Sequence, residues 1–243
     1  MTRGTATAPP RISDPRAVPV VGTDAHLPGL PAEALTAGAL RERFASASQG
    51  GRWQPELTGD GVLAGARTAS PAAVLLPLLE RDGGLQVLLT QRAAHLRDHG
   101  GQISFPGGRT EAGDDGPAGT ALRESEEEIG LPRERVELLG QMPPYTTVTG
   151  FVVTPVVGLV RGPLASTELA LDSVEVAEAF EVPLAFLMNP AQHRWHAYAH
   201  EGGQRRFLSM PWHGSAADGS PREYFIWGAT AAMLRNLYRF LAG

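Results

Sequence analysis

The stretch that decides the fold is Arg123-Glu124-Ser125-Glu126-Glu127-Glu128-Ile129-Gly130-Leu131, which begins fifteen residues after the glycine pair Gly107-Gly108. In a helix, at about 100° per residue, Glu124, Glu127 and Glu128 share one face. Carboxylates this close repel one another, and a cation among them removes the repulsion. Magnesium and manganese favour oxygen ligands, and magnesium usually bridges carboxylates to substrate phosphates. The stretch therefore predicts a metal site beside a phosphate-bearing substrate.

The alternative is a solvated acidic helix face, which charge runs often form. Glu126 belongs to such a face, because it lies two residues after Glu124 and points about 200° away from it. The helix itself is predicted over 118–129, with Gly130 at its end and Pro132 just beyond. Before it, residues 91–117 form a loop with six glycines, longer than a compact domain needs for a connection.

Composition limits the class of protein. The chain has 243 residues and a formal net charge of −5, so it lacks the basic surface typical of nucleic-acid binding. It has no cysteine, which excludes disulfides, zinc–cysteine sites and a cysteine nucleophile. No apolar run reaches the roughly 20 residues of a membrane span, and the N-terminus lacks a signal peptide's hydrophobic core. We therefore expect a cytoplasmic protein without nucleic-acid or membrane partners.

The pattern divides the chain in two. Residues 1–68 are predicted to be an arm, partly extended or disordered, with a short helix over 31–45 and a link after it. Residues 69–243 are predicted to be the compact domain. Strands and a few helices mix there without a βαβ repeat, which predicts an α/β fold of the mixed α+β kind, a mixed β-sheet sandwiched between α-helices. The predicted strands are 72–79, 85–90, 136–142, 151–160, 193–200, 205–210 and 222–227, with a charged loop up to Glu181, a short helix after Pro183 and a last helix over 228–241.

The loop and the acidic helix together resemble the signature of the Nudix hydrolases, a glycine, an acidic residue, then Arg-Glu-x-x-Glu-Glu-x-Gly-aliphatic. The resemblance implies the Nudix fold and hydrolysis of a nucleoside diphosphate linked to another group. The acid stands one residue later than is commonest, and either Asp114 or Asp115 can fill its place. Ser125 occupies a position that is usually aliphatic. The matching residues are Gly108, Arg123, Glu124, Glu127, Glu128, Gly130 and Leu131.

A second motif limits which nucleoside diphosphate derivatives are candidate substrates. Leu88-Leu89-Thr90-Gln91-Arg92-Ala93, followed by Arg97, Gly101 and Phe105-Pro106-Gly107-Gly108, resembles the signature of coenzyme A pyrophosphatases. The resemblance implies cleavage of coenzyme A or its derivatives to adenosine 3′,5′-bisphosphate and 4′-phosphopantetheine. One alternative is a Nudix enzyme for another nucleotide, such as ADP-ribose or NADH. Another is a non-catalytic Nudix binding module, although such modules tend to lose the helix glutamates.

The resemblance also implies roles for individual residues. Mg²⁺ or Mn²⁺ would be held by Glu124, Glu127 and Glu128 and by the backbone carbonyl of Gly108. Arg123 would support the site by pairing with Glu124 or Glu127, and the alternative is a plain i,i+4 partner of Glu127.

The general base would come from the glutamate helix or from a distant loop. In that loop Glu175 is the candidate, with Glu178 behind it. The alternative is that both are surface charges.

Substrate contacts are predicted in the upstream motif. Arginine matches phosphate with a planar fork, so Arg92 and Arg97 are candidates to bind a phosphate of coenzyme A, together with the backbone of Gly107 and Gly108. The alternative is a salt bridge that holds the long loop. Trp227 is predicted to lie in the core. The sequence leaves open a homodimer.

Overall fold

The computed structural model describes residues 12, 14–49, 53–60, 69–96, 99–164, 168–200 and 203–243. Twelve strands and four α-helices are found in these residues. The strands are β1 (Val20–Thr23), β2 (Ser70–Arg81), β3 (Gly84–Arg92), β4 (Ile103–Ser104), β5 (Gly107–Arg109), β6 (Val136–Gln141), β7 (Tyr145–Thr146), β8 (Phe151–Val160), β9 (Val176–Pro183), β10 (Arg194–His200), β11 (Gly203–Ser215) and β12 (Pro221–Trp227). The helices are α1 (Ala37–Gln49), α2 (Gly116–Ile129), α3 (Leu184–Leu187) and α4 (Gly228–Ala242).

The strands form two sheets. The larger has the order β4-β3-β2-β8-β6, with β5 paired to β2, β7 to β8 and β9 to β3. Its β2–β8 pair is parallel and its other pairs are antiparallel, so the predicted mixed sheet is confirmed. The smaller is antiparallel, in the order β1-β10-β11-β12.

The core lies on both faces of the larger sheet. Side chains alternate along β3, so Val87 and Leu89 belong to one apolar cluster and Leu88 to the other. The first cluster contains apolar residues of α1, α3 and α4, and the second contains Ala121 and Ile129 of α2. The predicted sandwich of a sheet between helices is confirmed, and α2 is the helix on the second face.

The predicted charged loop up to Glu181 is wrong, because β9 begins at Val176 and pairs antiparallel with β3. Its buried apolar residues, Val176, Phe180 and Val182, follow the period of two expected of a strand. Glu178 occupies the inward position between them and interrupts the apolar pattern. Likewise β4 and β5 lie inside the predicted loop 91–117, since two and three residues are too few to show a period.

The helix of the arm starts later than the sequence predicts. Residues 32–35 form a 3₁₀ turn, and α1 begins at Ala37 because the hydroxyl of Thr36 accepts a hydrogen bond from the backbone N–H of Ala39 at 3.2 Å. The helix then continues to Gln49, through residues predicted as a link. Leu40 and Phe44 are buried in the first cluster, and β1 extends the smaller sheet. The described part of the arm is therefore packed on the domain, and the division at residue 69 stays a prediction.

Candidate active site

Helix α2 has clear ends. Pro117 stands in its first turn, and Gly130 ends it in the left-handed conformation at φ 65°, with its N–H bonded to the carbonyl of Glu126 at 3.0 Å. The predicted end at Gly130 is confirmed. Ser125 is fully buried, and its hydroxyl donates to the carbonyl of Ala121 at 2.6 Å. That local bond lets a polar residue occupy a position that is usually aliphatic.

The acidic face of α2 lies against the glycine pair of β5. The backbone N–H of Gly107 donates to Oε2 of Glu128 at 3.0 Å, and Glu128 is only 6% exposed. A Cβ added at Gly108 would lie 2.6 Å from the carboxyl carbon of Glu124, so a side chain at Gly108 would displace that carboxylate. Glu127 is more exposed, and Glu126 faces solvent as predicted, paired with an arginine outside the site.

Burial and mutual repulsion shift the pKa of two of these carboxyls. Burial raises the pKa of Glu128 to about 7, although the Gly107 N–H and the Arg92 guanidinium act in the opposite direction. Burial also raises the pKa of Glu124, against the lowering effect of Arg123. The charge of Glu175 raises both pKa values, so this residue lies near enough to act on the cluster.

Arg123 connects two of the glutamates to the preceding loop. Its Nη1 is 3.0 Å from Oε1 of Glu124 and 2.9 Å from Oε2 of Glu127. Its Nε and Nη2 donate to the two carboxylate oxygens of Asp114 at 2.8 and 3.0 Å, and Nη2 also donates to the carbonyl of Arg109 at 2.9 Å. Both pairings anticipated for Arg123 occur, and the guanidinium is more than an i,i+4 partner.

The loop acid in contact with the helix is Asp114. Its carboxylate accepts hydrogen bonds from the buried hydroxyl of Thr120 at 2.8 Å and from the backbone N–H of Glu111 at 2.9 Å. The hydrogen bond from Arg123 is the main reason that the pKa of Asp114 lies well below its usual range. Asp115 stands at the start of α2, and its side chain makes no capping bond there. Thr120 was not singled out from the sequence.

The two aspartates are expected to differ in their effect on activity. Replacing Asp114 with asparagine removes the charge that holds Arg123, so we expect catalytic activity to fall roughly 10- to 100-fold, as for groups that orient metal ligands. Asp115→Asn is the matched control and should change activity less than about twofold, since surface changes have little effect. Steady-state rates of the two variants, measured side by side, check this; equal losses would contradict the assignment of Asp114.

Arg92 and Glu175 border the cluster on the side of β3. Nη1 of Arg92 is 3.6 Å from Oε1 of Glu128, and Nη2 is 3.9 Å from Oε2 of Glu175. The backbone of Glu175 is held by the N–H of Ala93, which donates to its carbonyl at 2.8 Å, while its side chain is about half exposed. Arg97, the other predicted substrate arginine, lies outside the described residues.

Glu178 is separate from this site. Its carboxylate accepts from Nη1 of Arg222 at 2.7 Å and from the hydroxyl of Tyr224 at 2.8 Å. These bonds explain why a carboxylate is tolerated on the inner face of β9, so the surface-charge alternative is wrong for Glu178. Trp227, predicted to be core, is partly buried, with its ring edge-on to Phe207 at 5.3 Å.

The carboxylates of α2 are suited to a divalent metal by their chemistry. Among the described residues, no three acidic or histidine side chains already converge as a metal-binding set. In the α2 cluster a cation already contacts two of them, because Arg123 bridges Glu124 and Glu127. Exposed ion pairs such as Arg123–Glu127 contribute only about 0–1 kcal/mol, so a divalent ion competes readily for Glu127. With Gly108 leaving space beside Glu124, the all-oxygen donor set fits Mg²⁺ or Mn²⁺.

Metal binding is expected to depend on pH through Glu128. A carboxylate must be ionised to bind a metal, and the pKa of Glu128 is raised to about 7. Between pH 8 and pH 6 the ionised fraction of such a group falls roughly tenfold, so the Kd for Mn²⁺ should rise about tenfold. Without metal the sign is opposite for folding: because the carboxyl pKa is raised in the folded state, the contribution of Glu128 to stability decreases as pH rises towards about 7.

Calorimetric titration of the metal-free protein with Mn²⁺ at the two pH values checks this prediction. The Glu128→Gln variant is the control and should bind Mn²⁺ more weakly, with little difference between the two pH values. A Kd for the unaltered protein that is the same at both would contradict the assignment of Glu128 as a ligand.

Comparison with known proteins agrees with this geometry. The NUDIX domain family model matches residues 69–201, which include the glycine pair, α2 and Glu175. The chain is 41% identical over 170 residues to a Nudix hydrolase NudL from Enterobacter sp. (strain 638), and 42% identical over 168 residues to its namesake from Salmonella newport (strain SL254). Each match covers 68% of this chain and 80% of the relative. The names of these relatives specify no substrate.

Among solved structures, a Nudix hydrolase from M. smegmatis, RenU, is 24% identical, with a TM-score of 0.42 over 57% of this chain and 81% of that one. A C. elegans Ap4A hydrolase is 20% identical, with a TM-score of 0.41 over 49% of this chain and 85% of that one. Assignment to a family rests on the family model and on the curated relatives. Because that model spans more than half of the chain and the relatives match two thirds of it, the chain belongs to the Nudix hydrolase family.

Proposed function

We propose that the protein is a divalent-metal-dependent pyrophosphatase that hydrolyses coenzyme A or its derivatives to adenosine 3′,5′-bisphosphate and 4′-phosphopantetheine. One observation carries the proposal: the carboxylate of Glu128 contacts both the glycine pair of the Nudix signature and Arg92 of the coenzyme A motif. The two sequence motifs thus meet at one carboxylate of α2. We expect the enzyme in the cytoplasm. Among the described residues, no helix is long and apolar enough to cross a membrane.

The chemistry requires neutralisation of a strongly anionic substrate. Mg²⁺ or Mn²⁺, held by Glu124, Glu127, Glu128 and the carbonyl of Gly108, would screen the pyrophosphate and lower the pKa of a bound water. Arg123 would orient two of these carboxylates by holding them to Asp114.

Arg92 is suited to bind the pyrophosphate. Its two ion pairs, at 3.6 and 3.9 Å, are long, and its guanidinium makes no hydrogen bond to any residue that the structure describes. Its donors are therefore available to phosphate oxygens, which match the planar fork of arginine. If Arg92 instead forms a salt bridge that only holds the long loop, its contacts with Glu128 and Glu175 should persist when substrate binds. Arg97 stays a proposed substrate contact on the motif alone.

Glu175 and the helix glutamates remain the two sources of the general base. Glu175 is favoured by its position, because its carboxylate reaches Arg92 and its charge acts on Glu124 and Glu128. It is also about half exposed, so water reaches it. A general base of this kind contributes roughly 10²- to 10⁴-fold to the rate.

A substrate panel tests the proposed function. Purified protein is incubated at millimolar manganese with coenzyme A, NADH and ADP-ribose in turn, and the products are identified by mass spectrometry. We expect the highest kcat/KM for coenzyme A, with the two phosphomonoester products named above. No cleavage of coenzyme A would overturn the substrate. Cleavage of NADH or ADP-ribose alone would identify a different Nudix pyrophosphatase, and binding without cleavage of any would identify a non-catalytic module.

A further inference from the structure

Three described arginines lie on the strands and the helix that build the candidate site, and they differ in their partners. Arg92 faces Glu128 and Glu175, and Arg123 is fully engaged with carboxylates and a carbonyl. The side chain of Arg109 makes no ion pair or hydrogen bond with any residue that the structure describes. Its guanidinium instead lies 5.1 Å from the ring centroid of Phe151. Arg109 is thus an exposed cation with no acidic partner in the part of the chain that the structure describes.

Hydrogen bonding of its backbone holds Arg109 next to the candidate site. It is the last residue of β5, directly after Gly108, and its carbonyl accepts a hydrogen bond from Arg123 at 2.9 Å. Along β5 successive side chains point to opposite faces of the sheet. The Cβ direction of Gly108 faces Glu124, so the Arg109 side chain leaves the strand on the other side. Its guanidinium therefore lies on the other side of β5 from Glu124 and is not part of the proposed metal site.

Phe151 supports this position. Its N–H donates to the hydroxyl of Thr147 at 3.1 Å, and its carbonyl accepts from the backbone N–H of Thr147 at 2.8 Å, so a tight turn fixes the start of β8. A guanidinium over an aromatic ring is held by about 0.5–1 kcal/mol at an exposed site, and its N–H donors stay free. The Arg109 guanidinium is thus held in one place, and its N–H groups can donate hydrogen bonds to a ligand.

We infer that Arg109, held over Phe151, binds a second phosphate of the substrate, one that is not cleaved. The inference rests on the proposed function, and it names the substrate class: a nucleotide with a phosphomonoester beyond its pyrophosphate. In coenzyme A this is the 3′-phosphate, one ribose away from the pyrophosphate. Arginine recognises such a group with parallel N–H···O bonds. No carboxylate among the described residues pairs with the Arg109 guanidinium, so its donors can be taken by a ligand phosphate. Arg109 is thus a specificity-determining residue, separate from Arg92.

The test compares ligands with and without the 3′-phosphate. KM and kcat are measured for coenzyme A and dephospho-coenzyme A with the unaltered protein, Arg109→Ala and Arg109→Lys. In parallel, calorimetry measures the Kd of adenosine 3′,5′-bisphosphate and of adenosine 5′-monophosphate. Arg133→Ala is the matched control, an exposed arginine whose partner is the solvent-facing Glu126.

We expect Arg109→Ala to raise KM for coenzyme A and Kd for the bisphosphate by roughly 10- to 100-fold, the effect of losing a charged hydrogen bond. Values for dephospho-coenzyme A and the monophosphate should change less than about twofold, as should all values for Arg133→Ala. Arg109→Lys should fall between, since it keeps the charge and loses the fork.

Equal losses on both members of each pair, or no loss on either, would overturn the inference. If the unaltered protein cleaves no coenzyme A, the proposed function fails, and the bisphosphate and monophosphate measurements alone decide the role of Arg109. If the unaltered protein binds adenosine 3′,5′-bisphosphate and adenosine 5′-monophosphate with equal Kd, Arg109 does not bind the second phosphate and the inference fails.

Discussion

Replacing Glu128 with glutamine is expected to lower kcat for pyrophosphate cleavage at least about a hundredfold, which corresponds to roughly 2.7 kcal/mol of barrier. Glutamine keeps the shape of the side chain, and its carbonyl oxygen can still accept the hydrogen bond from Gly107. It removes the negative charge at the most buried of the three helix glutamates, which is 6% exposed. The fall in kcat therefore measures the effect of removing the negative charge of Glu128. Initial rates at saturating Mn²⁺ and substrate measure it.

Glu126→Gln on the same helix is the control. Glu126 faces away from the cluster, and its carboxylate pairs with Arg133 at 2.7 Å, both side chains being largely exposed. The activity of this variant should remain within about twofold of the unaltered protein. If Glu128→Gln loses less than about tenfold, some 1.4 kcal/mol, Glu128 is not an essential metal ligand.

Replacing Arg235 with leucine is expected to lower the free energy of unfolding by about 3–5 kcal/mol. Arg235 of α4 is 1% exposed, and its two carboxylate partners come from the arm. Its Nη1 is 3.0 Å from Oδ2 of Asp24 and its Nε is 3.0 Å from Oε2 of Glu56, while Nη1 also lies 3.0 Å from Nδ1 of His193. Removing the cation leaves the buried Asp24 carboxylate with the hydrogen bond from the Trp195 indole N–H and no described cation, and leaves the partly buried Glu56 with Arg239 alone. Urea denaturation followed by circular dichroism measures the loss.

Arg239→Leu is the matched control for this cluster. Arg239 lies one turn further along α4 and shares Glu56, but its side chain is 37% exposed. An exposed ion pair contributes about 0–1 kcal/mol, so this variant should lose no more than that. Similar losses in both variants would contradict the view that the buried cluster fastens the arm to α4.

The acidic helix was predictable because its signals are local. The spacing of Glu124, Glu127 and Glu128 determines their common face, and Gly130 ends the helix by adopting a left-handed conformation. The choice between Asp114 and Asp115 was not predictable, because it depends on how the preceding loop turns. In the fold, the hydroxyl of Thr120 and the N–H of Glu111 point Asp114 towards the helix.

The packing of the arm on α4 and the strand β9 were not predicted from the sequence. Glu56 and Arg235 are 179 residues apart, and a buried pair of charges at that separation leaves no periodic pattern. Strand β9 was missed for a related reason. Glu178 interrupts its apolar pattern, and the partner that allows this carboxylate to be buried, Arg222, lies on the distant strand β12. Local patterns predicted the strands and helices with apolar periods, whereas polar contacts between distant segments became apparent only in the fold.

The most direct test of the account is the position of the metal. Crystals of the protein grown with Mn²⁺ and adenosine 3′,5′-bisphosphate are measured at a wavelength at which manganese scatters anomalously. We predict an anomalous peak between the acidic face of α2 and the glycine pair, liganded by Glu124 and Glu128 with the carbonyl of Gly108, and Glu127 turned towards it. Manganese bound only elsewhere, with Arg123 still bridging Glu124 and Glu127, would contradict the assignment of this helix as the metal site.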